Sequence, residues 1–144
     1  GHLVISESGI IVDYTVTQAS ASERDAAFEI TENITGLLLG DKGYLGQAFQ
    51  EEMRHKNIQI STPVRLNMKD EETPKFRTYL NQKRRKIETV IGQLVDRFSI
   101  AKIRARTILR LTNRMTRKVL CHTLCIYFLK QRGINSMELS KVVP

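Results

Sequence analysis

The stretch Leu37-Leu38-Leu39-Gly40-Asp41-Lys42-Gly43-Tyr44 changes character at its midpoint. Three consecutive leucines read as a short strand buried on both faces, the pattern of a parallel sheet covered by helices. A carboxylate, a lysine and a tyrosine follow at once, with glycines at 40 and 43 to bend the chain around them. Glycines at this spacing mark a tight turn, so polar side chains leave directly from the strand's carboxyl end. In open α/β sheets ligands collect at that end, because the loops converge there. Asp41 is therefore a candidate functional residue, and a turn-forming aspartate is the plain alternative.

Upstream, Leu3-Val4-Ile5 and then Ile10 to Thr17 read as two strands joined by a tight turn at Glu7-Ser8-Gly9. Val12, Tyr14 and Val16 alternate with Asp13, Thr15 and Thr17, the period-two signature of a half-buried strand. The chain enters its first strand without a lead-in and reads as a fragment of a longer protein. Ser22 with Asp25 three residues on resembles a capping box, and Ala26, Ala27, Ile30 and Ile34 give the following helix one apolar face, with Gly36 as its stop. Downstream of the GDKGY turn, a helix is expected from Gln47 to Lys56 and a strand from Ile58 to Ser61, ended by Pro63. Residues 64–78 have no strong period and read as a mobile loop. This order predicts an α/β fold with a mixed sheet, in which helices carry the chain between parallel strands.

The second half is helical. Ile87, Val90, Ile91, Leu94, Val95 and Phe98 fall at helical spacing and predict one apolar stripe. A second long helix is expected from Thr112 to Gln131, with Met115, Val119, Ile126 and Tyr127 toward the core, Arg110, Arg114 and Lys118 on another face, and Gly133 as its end. Cys121 and Cys125 read as two small core residues of that helix. A zinc site including His122 would need a fourth ligand that the sequence does not offer.

Charge divides the chain more sharply than its net +8 implies. Residues 1–74 hold six Lys/Arg against twelve Asp/Glu, whereas residues 75–132 hold sixteen against two, Glu88 and Asp96. A solvated helix face normally mixes the two signs. A nearly acid-free cationic segment is instead the footprint of a nucleic-acid partner. At 144 residues, with 41% hydrophobic side chains, the chain suffices for one folded domain. No apolar run is long enough to span a bilayer, so a membrane protein is not expected and a cytoplasmic one is.

Glu88 is one of the two acids inside the cationic segment, in QKRRKIETV. It follows Ile87 by about 100° around the helix and so borders the apolar stripe. Packed on the sheet's edge, that helix could bring Glu88 to the same cleft as Asp41. Two carboxylates suit a hard cation such as Mg²⁺, which commonly takes one or two protein carboxylates and fills its shell with water and substrate phosphate. Lys83, Arg84, Arg85 and Lys86 would then hold the phosphate backbone. The plain alternative for Glu88 is an ion pair with Arg84 one turn before it.

GDKGYLG, then ISTPVRLNMK, then RRKIETVIGQLVDRFSIAKIRART and a helix containing NRMTRKVLCHTLCIY together resemble the C-terminal catalytic part of bacterial insertion-sequence transposases of the DDE class. The resemblance extends over residues 3–132 and leaves 133–144 as a tail. It implies a ribonuclease-H-like fold. Asp41 would be the second acidic residue of the catalytic triad and Glu88 the third, together holding two Mg²⁺ ions (or Mn²⁺ as a substitute) for DNA strand cleavage and transfer. It also implies DNA contacts from Lys42, Tyr44, Arg65, Asn67, Lys69 and the 83–86 cluster, action as a multimer on paired DNA ends, and a location with the bacterial nucleoid.

Two departures qualify the resemblance. The family's first aspartate lies on an earlier strand that this chain does not contain, which leaves the expected site incomplete and the fragment inactive alone. Asp13, the one acid on the early strands, alternates away from Val12 and Tyr14 and is a poor substitute. The tyrosine and lysine of a related signature are replaced by Asn81 and Val95, although Arg84 keeps its place before Glu88. A non-catalytic DNA-binding or assembly module, or a nuclease or resolvase of the same fold, are the competing functions.

Overall fold

Two stretches of β-structure and four α-helices follow from these signals in the computed structural model, which describes residues 1–18, 22–44, 46–62, 73–135 and 138–139. Strand β1 (His2–Ile5) pairs with β2 (Ile11–Thr15). The connection is too short for a parallel crossover, so the pair is an antiparallel hairpin. Its turn is closed by Ser6 N–H to the Ile10 carbonyl at 2.8 Å and Gly9 N–H to the Ser6 carbonyl at 2.9 Å. Helix α1 (Glu23–Ile30), strand β3 (Gly36–Leu39), helix α2 (Gln47–His55) and strand β4 (Ile58–Ser61) follow, then the long helices α3 (Pro74–Asp96) and α4 (Ile108–Gln131). Among the described residues the strands form two separate two-stranded sheets where the sequence predicts one mixed sheet.

The chain divides into two compact units, Gly1–Val4 with Asp13–Gln82 and Ile5–Val12 with Lys83–Pro144. The first is built on β3 and β4, which run parallel in the register Gly36↔Ile58 to Leu39↔Ser61. Helix α2 makes the crossover and buries Phe49 and Met53, one turn apart, against Ala27 of α1 and Ile58 of β4. Phe28 meets the Phe49 ring edge-on with centroids 5.1 Å apart, an arrangement the ring quadrupoles favour. Helix α1 begins where Ser22 Oγ accepts the Arg24 N–H at 3.2 Å. It ends at Ile30, well before Gly36. Thr31, itself buried, donates its hydroxyl to the Ala27 carbonyl at 2.6 Å and closes the last turn. Gly36 serves instead as the entry to β3, at φ +101°.

Two strand expectations are corrected. The leucine run is not buried on both faces: Leu37 is 51% exposed, and Leu38 alone packs on the core cluster. A two-stranded pair covered by α2 offers one dry face, and alternation then sends every second side chain outward. In β2 the phase is shifted by one residue. Ile11 is buried and Val12 is 52% exposed, because a one-place slip in a period-two pattern exchanges the faces.

In the second unit, α4 buries Val119, His122, Ile126 and Leu129. Ile126 and Leu129 pack with Leu139, Ile10 and Phe98. The expected Tyr127 lies outside that stripe, half exposed, as do Leu120, Leu124 and Phe128. Likewise α3 buries Leu80, Val90 and Leu94, while Ile91 and Val95 are exposed. Cys121 is exposed and Cys125 half-buried, so the pair is not a core pair. Burial pushes the Cys125 thiol up, and Cys121 adds to the effect. Helix α3 begins at Pro74, within the stretch the sequence assigns to loop; Thr73 Oγ1 caps it by accepting the Phe76 N–H at 3.3 Å. Helix α4 begins one turn earlier than expected, at a Thr107 cap. It ends at Gly133 (φ +68°), with the Ile134 N–H returning to the Leu129 carbonyl at 2.9 Å.

His122 is the buried polar group of this core. Its Nε2 lies 2.8 Å from Gln93 Oε1, its ring meets Phe98 edge-on, and its Nδ1 is enclosed without a partner. Burial lowers its pKa to about 4, whereas an unfolded histidine titrates near 6.5. The neutral form therefore stabilises the fold fully above pH 6.5, and that contribution is lost as the pH falls from 6.5 toward 4. Unfolding free energies from urea denaturation should drop over this window, by up to roughly 3 kcal/mol, and His122→Gln should flatten the decline. In the first unit, Phe49→Ala should cost about 3–5 kcal/mol and Leu37→Ala less than about 0.5 kcal/mol, both measured by urea denaturation at neutral pH.

Candidate functional site

Asp41 lies where the β3/β4 ladder runs out. The Gly40 N–H still donates to the Ser61 carbonyl at 2.9 Å, and the chain then turns into a short 3₁₀ segment, Lys42–Tyr44. The Tyr44 N–H returns to the Asp41 carbonyl at 3.1 Å, so the turn holds the aspartate's backbone while its side chain remains exposed. Asp41 thus stands at the carboxyl end of a parallel strand, two residues beyond Leu39. Close approach accounts for Gly40, whereas at Gly43 the neighbour is the tip of a flexible glutamate side chain. A Cβ at Gly40 would press on Tyr44 Cδ2 at 3.1 Å, and one at Gly43 would collide with Glu23 Oε2.

Tyr44 is held by stacking on Phe49, with ring centroids 6.1 Å apart. Its phenol is pushed above its ordinary value of 10, first by burial, then by the Glu23 carboxylate and then by Asp41. Glu23, in the first turn of α1, is therefore the acid that sequence reasoning missed at this turn. Nothing in its own segment distinguishes it from the other acids of a helix N-terminus, where carboxylates are ordinary. The contact is made only when α1 folds against the GDKGY turn.

Glu88 and the 83–86 cluster belong to the second unit. Glu88 is exposed on α3, with Val90 two residues on facing the core. Arg85 is exposed, while Lys83, Arg84 and Lys86 are half-buried. Lys83 Nζ forms an ion pair with Glu7 Oε1, and Lys86 Nζ donates to the Glu7 carbonyl at 2.6 Å. Arg114 donates to the Arg104 carbonyl at 2.5 Å, and Lys118 donates to the Phe98 carbonyl, so both of these cations hold the connection between α3 and α4. Asp13 lies on β2, where its Oδ1 accepts the Tyr14 N–H at 2.7 Å.

Arg65, Asn67 and Lys69 lie outside the described residues. Among the described residues, no three or more His, Cys, Asp and Glu side chains form a group that could hold a metal ion, and no helix is long and apolar enough to cross a membrane.

Residues 1–108 match the family described as Transposase DDE domain. No curated protein and no solved structure matches the chain. The matched family acts on DNA and generally uses divalent metal ions, and the match takes in β1 through α3, including Asp41, Glu88 and the 83–86 cluster.

The order of influences on Tyr44 gives a direct test of the local geometry. Followed by NMR, the Tyr44 phenol titration should move to lower pH in Glu23→Gln, by less in Asp41→Asn, and should still lie above its ordinary value in both.

Proposed function

Because the chain belongs to the Transposase DDE domain family, we propose that its chemistry is metal-dependent DNA strand cleavage and strand transfer, with Asp41 and Glu88 as two of the metal ligands. The single observation that carries this reading is the place of Asp41: an exposed carboxylate leaving the C-terminal end of a parallel strand. The donors fit the ion. Asp41 and Glu88 offer hard carboxylate oxygens, and Mg²⁺ or Mn²⁺ accepts one or two of these while phosphate and water complete the shell. When bound, such an ion activates the attacking oxygen and stabilises the leaving one.

The chain's own residues supply the rest. The exposed carboxylates of Asp41 and Glu88 would hold the cations against the scissile phosphate. Arg85, and with it Lys83, Arg84 and Lys86, would hold the flanking backbone as phosphate contacts that position without reading sequence. Lys42 and Tyr44, next to Asp41, would touch the same strand, and Arg65, Asn67 and Lys69 are further contact candidates in the segment between β4 and α3. The fold this reading assumes is ribonuclease-H-like, in a bacterial insertion-sequence enzyme that acts as a multimer at the nucleoid.

Weak Mn²⁺ binding, followed by water-proton relaxation, should be lost by roughly tenfold or more in the double variant Asp41→Asn, Glu88→Gln. An affinity that does not change would remove the physical basis of the catalytic reading and leave a DNA-binding module.

A further inference from the structure

We infer that Glu7, at the tip of the β1–β2 hairpin, is an internal competitor for DNA phosphate at Lys83 and Lys86; the inference rests on the reading of residues 83–86 as a DNA-contact patch. The hairpin delivers an acid from the acidic half of the chain into its most cationic run, RRK and the lysine before it. Glu7 uses two different groups to do so. Its carboxylate pairs with Lys83 Nζ, and its backbone carbonyl accepts from Lys86 Nζ at 2.6 Å. The two lysines are three residues apart on α3 and share a face.

The tip is fixed independently of those contacts. Ser6 Oγ accepts the Ile10 N–H at 3.2 Å and lies 3.0 Å from Ser8 Oγ, and Gly9 takes φ +83° to close the turn. Ile10 packs with Ile126 and Leu129, and Ile11 is buried. Glu7 is thus held against α3 by a turn that is itself anchored in the core, while its own side chain is 69% exposed.

An ion pair this exposed contributes little to folding, but it lies where a phosphate would have to lie. A lysine already neutralised by a carboxylate releases fewer counterions when DNA arrives, so it adds less both to affinity and to the salt dependence of binding. The carboxylate must also be displaced before the phosphate takes its place. DNA binding at this patch is therefore attenuated by the protein's own acid, and whatever draws the hairpin tip off α3 strengthens it.

The test is a cycle of variants in the full chain: wild type, Glu7→Gln, Lys83→Gln and the double variant, with folding checked by circular dichroism. Binding to a short labelled duplex is measured by fluorescence anisotropy across a NaCl series. Glu7→Gln should tighten binding by roughly two- to fivefold and steepen the salt slope by about one, and Lys83→Gln should abolish most of that gain. Glu7→Asp, which keeps the charge but shortens its reach, should also tighten binding. An equal gain from Glu7→Gln with Lys83 removed, or no gain from Glu7→Asp, would reduce Glu7 to a distant repulsive charge and overturn the competition. Binding that is indifferent to Lys83→Gln and Lys86→Gln in both backgrounds would instead overturn the DNA-contact reading of the patch, whatever Glu7 does.

Discussion

Parallel pairing of β3 with β4 is the constraint from which the first unit follows. Strands that run the same way cannot be joined by a tight turn, so the chain must leave the carboxyl end of one, cross, and return to the amino end of the next. Helix α2 is that crossing, and Phe49 and Met53 fix it against Ala27 and Ile58. The turn that begins the crossing is closely packed at Gly40, which lies against the Tyr44 side chain. Asp41 is exposed at a strand end for the same reason: a β-α-β unit presents whatever residue begins its crossing.

Much of this was legible in the sequence because punctuation and period agreed. Strand β4 was expected and found at Ile58–Ser61, helix α2 began at the expected Gln47, and Gly133 closes α4 as read. The failures have physical causes. A run of three leucines carries no phase, so it could not tell a strand covered on both faces from one covered on a single face. The start of α3 was signalled by Thr73-Pro74, a cap followed by the residue best tolerated at a first helical position, but the polar stretch before it outweighed the pair. In α4 the hydrophobic residues occupy nearly the whole circumference from Val119 to Leu129, and periodicity cannot choose a face where no polar face exists. His122 entered the core for that reason, with Gln93 meeting one of its nitrogens.

The candidate site was legible in its residue types and less so in their neighbours. Asp41 is nominated by its place after a strand, and Glu88 by being an acid in an acid-poor helix. Glu23 and Glu7 could not, since each acts on residues that are distant in sequence, at Gly43 and Tyr44 in one case and at Lys83 and Lys86 in the other. Spacing rules reach one or two turns of a helix. They say nothing about which loop a fold will lay against it.

Arg114 and Lys118 extend this point to the whole charge distribution. Each directs its cation at a backbone carbonyl in the connection between the long helices, Arg104 for one and Phe98 for the other. Those carbonyls would otherwise need water or another donor. The guanidinium and ammonium groups therefore act as fasteners for irregular backbone. Both groups keep their full positive charge while one donor of each is committed to backbone, so a polyanion would meet them at positions the fold has fixed and not at the ends of free side chains.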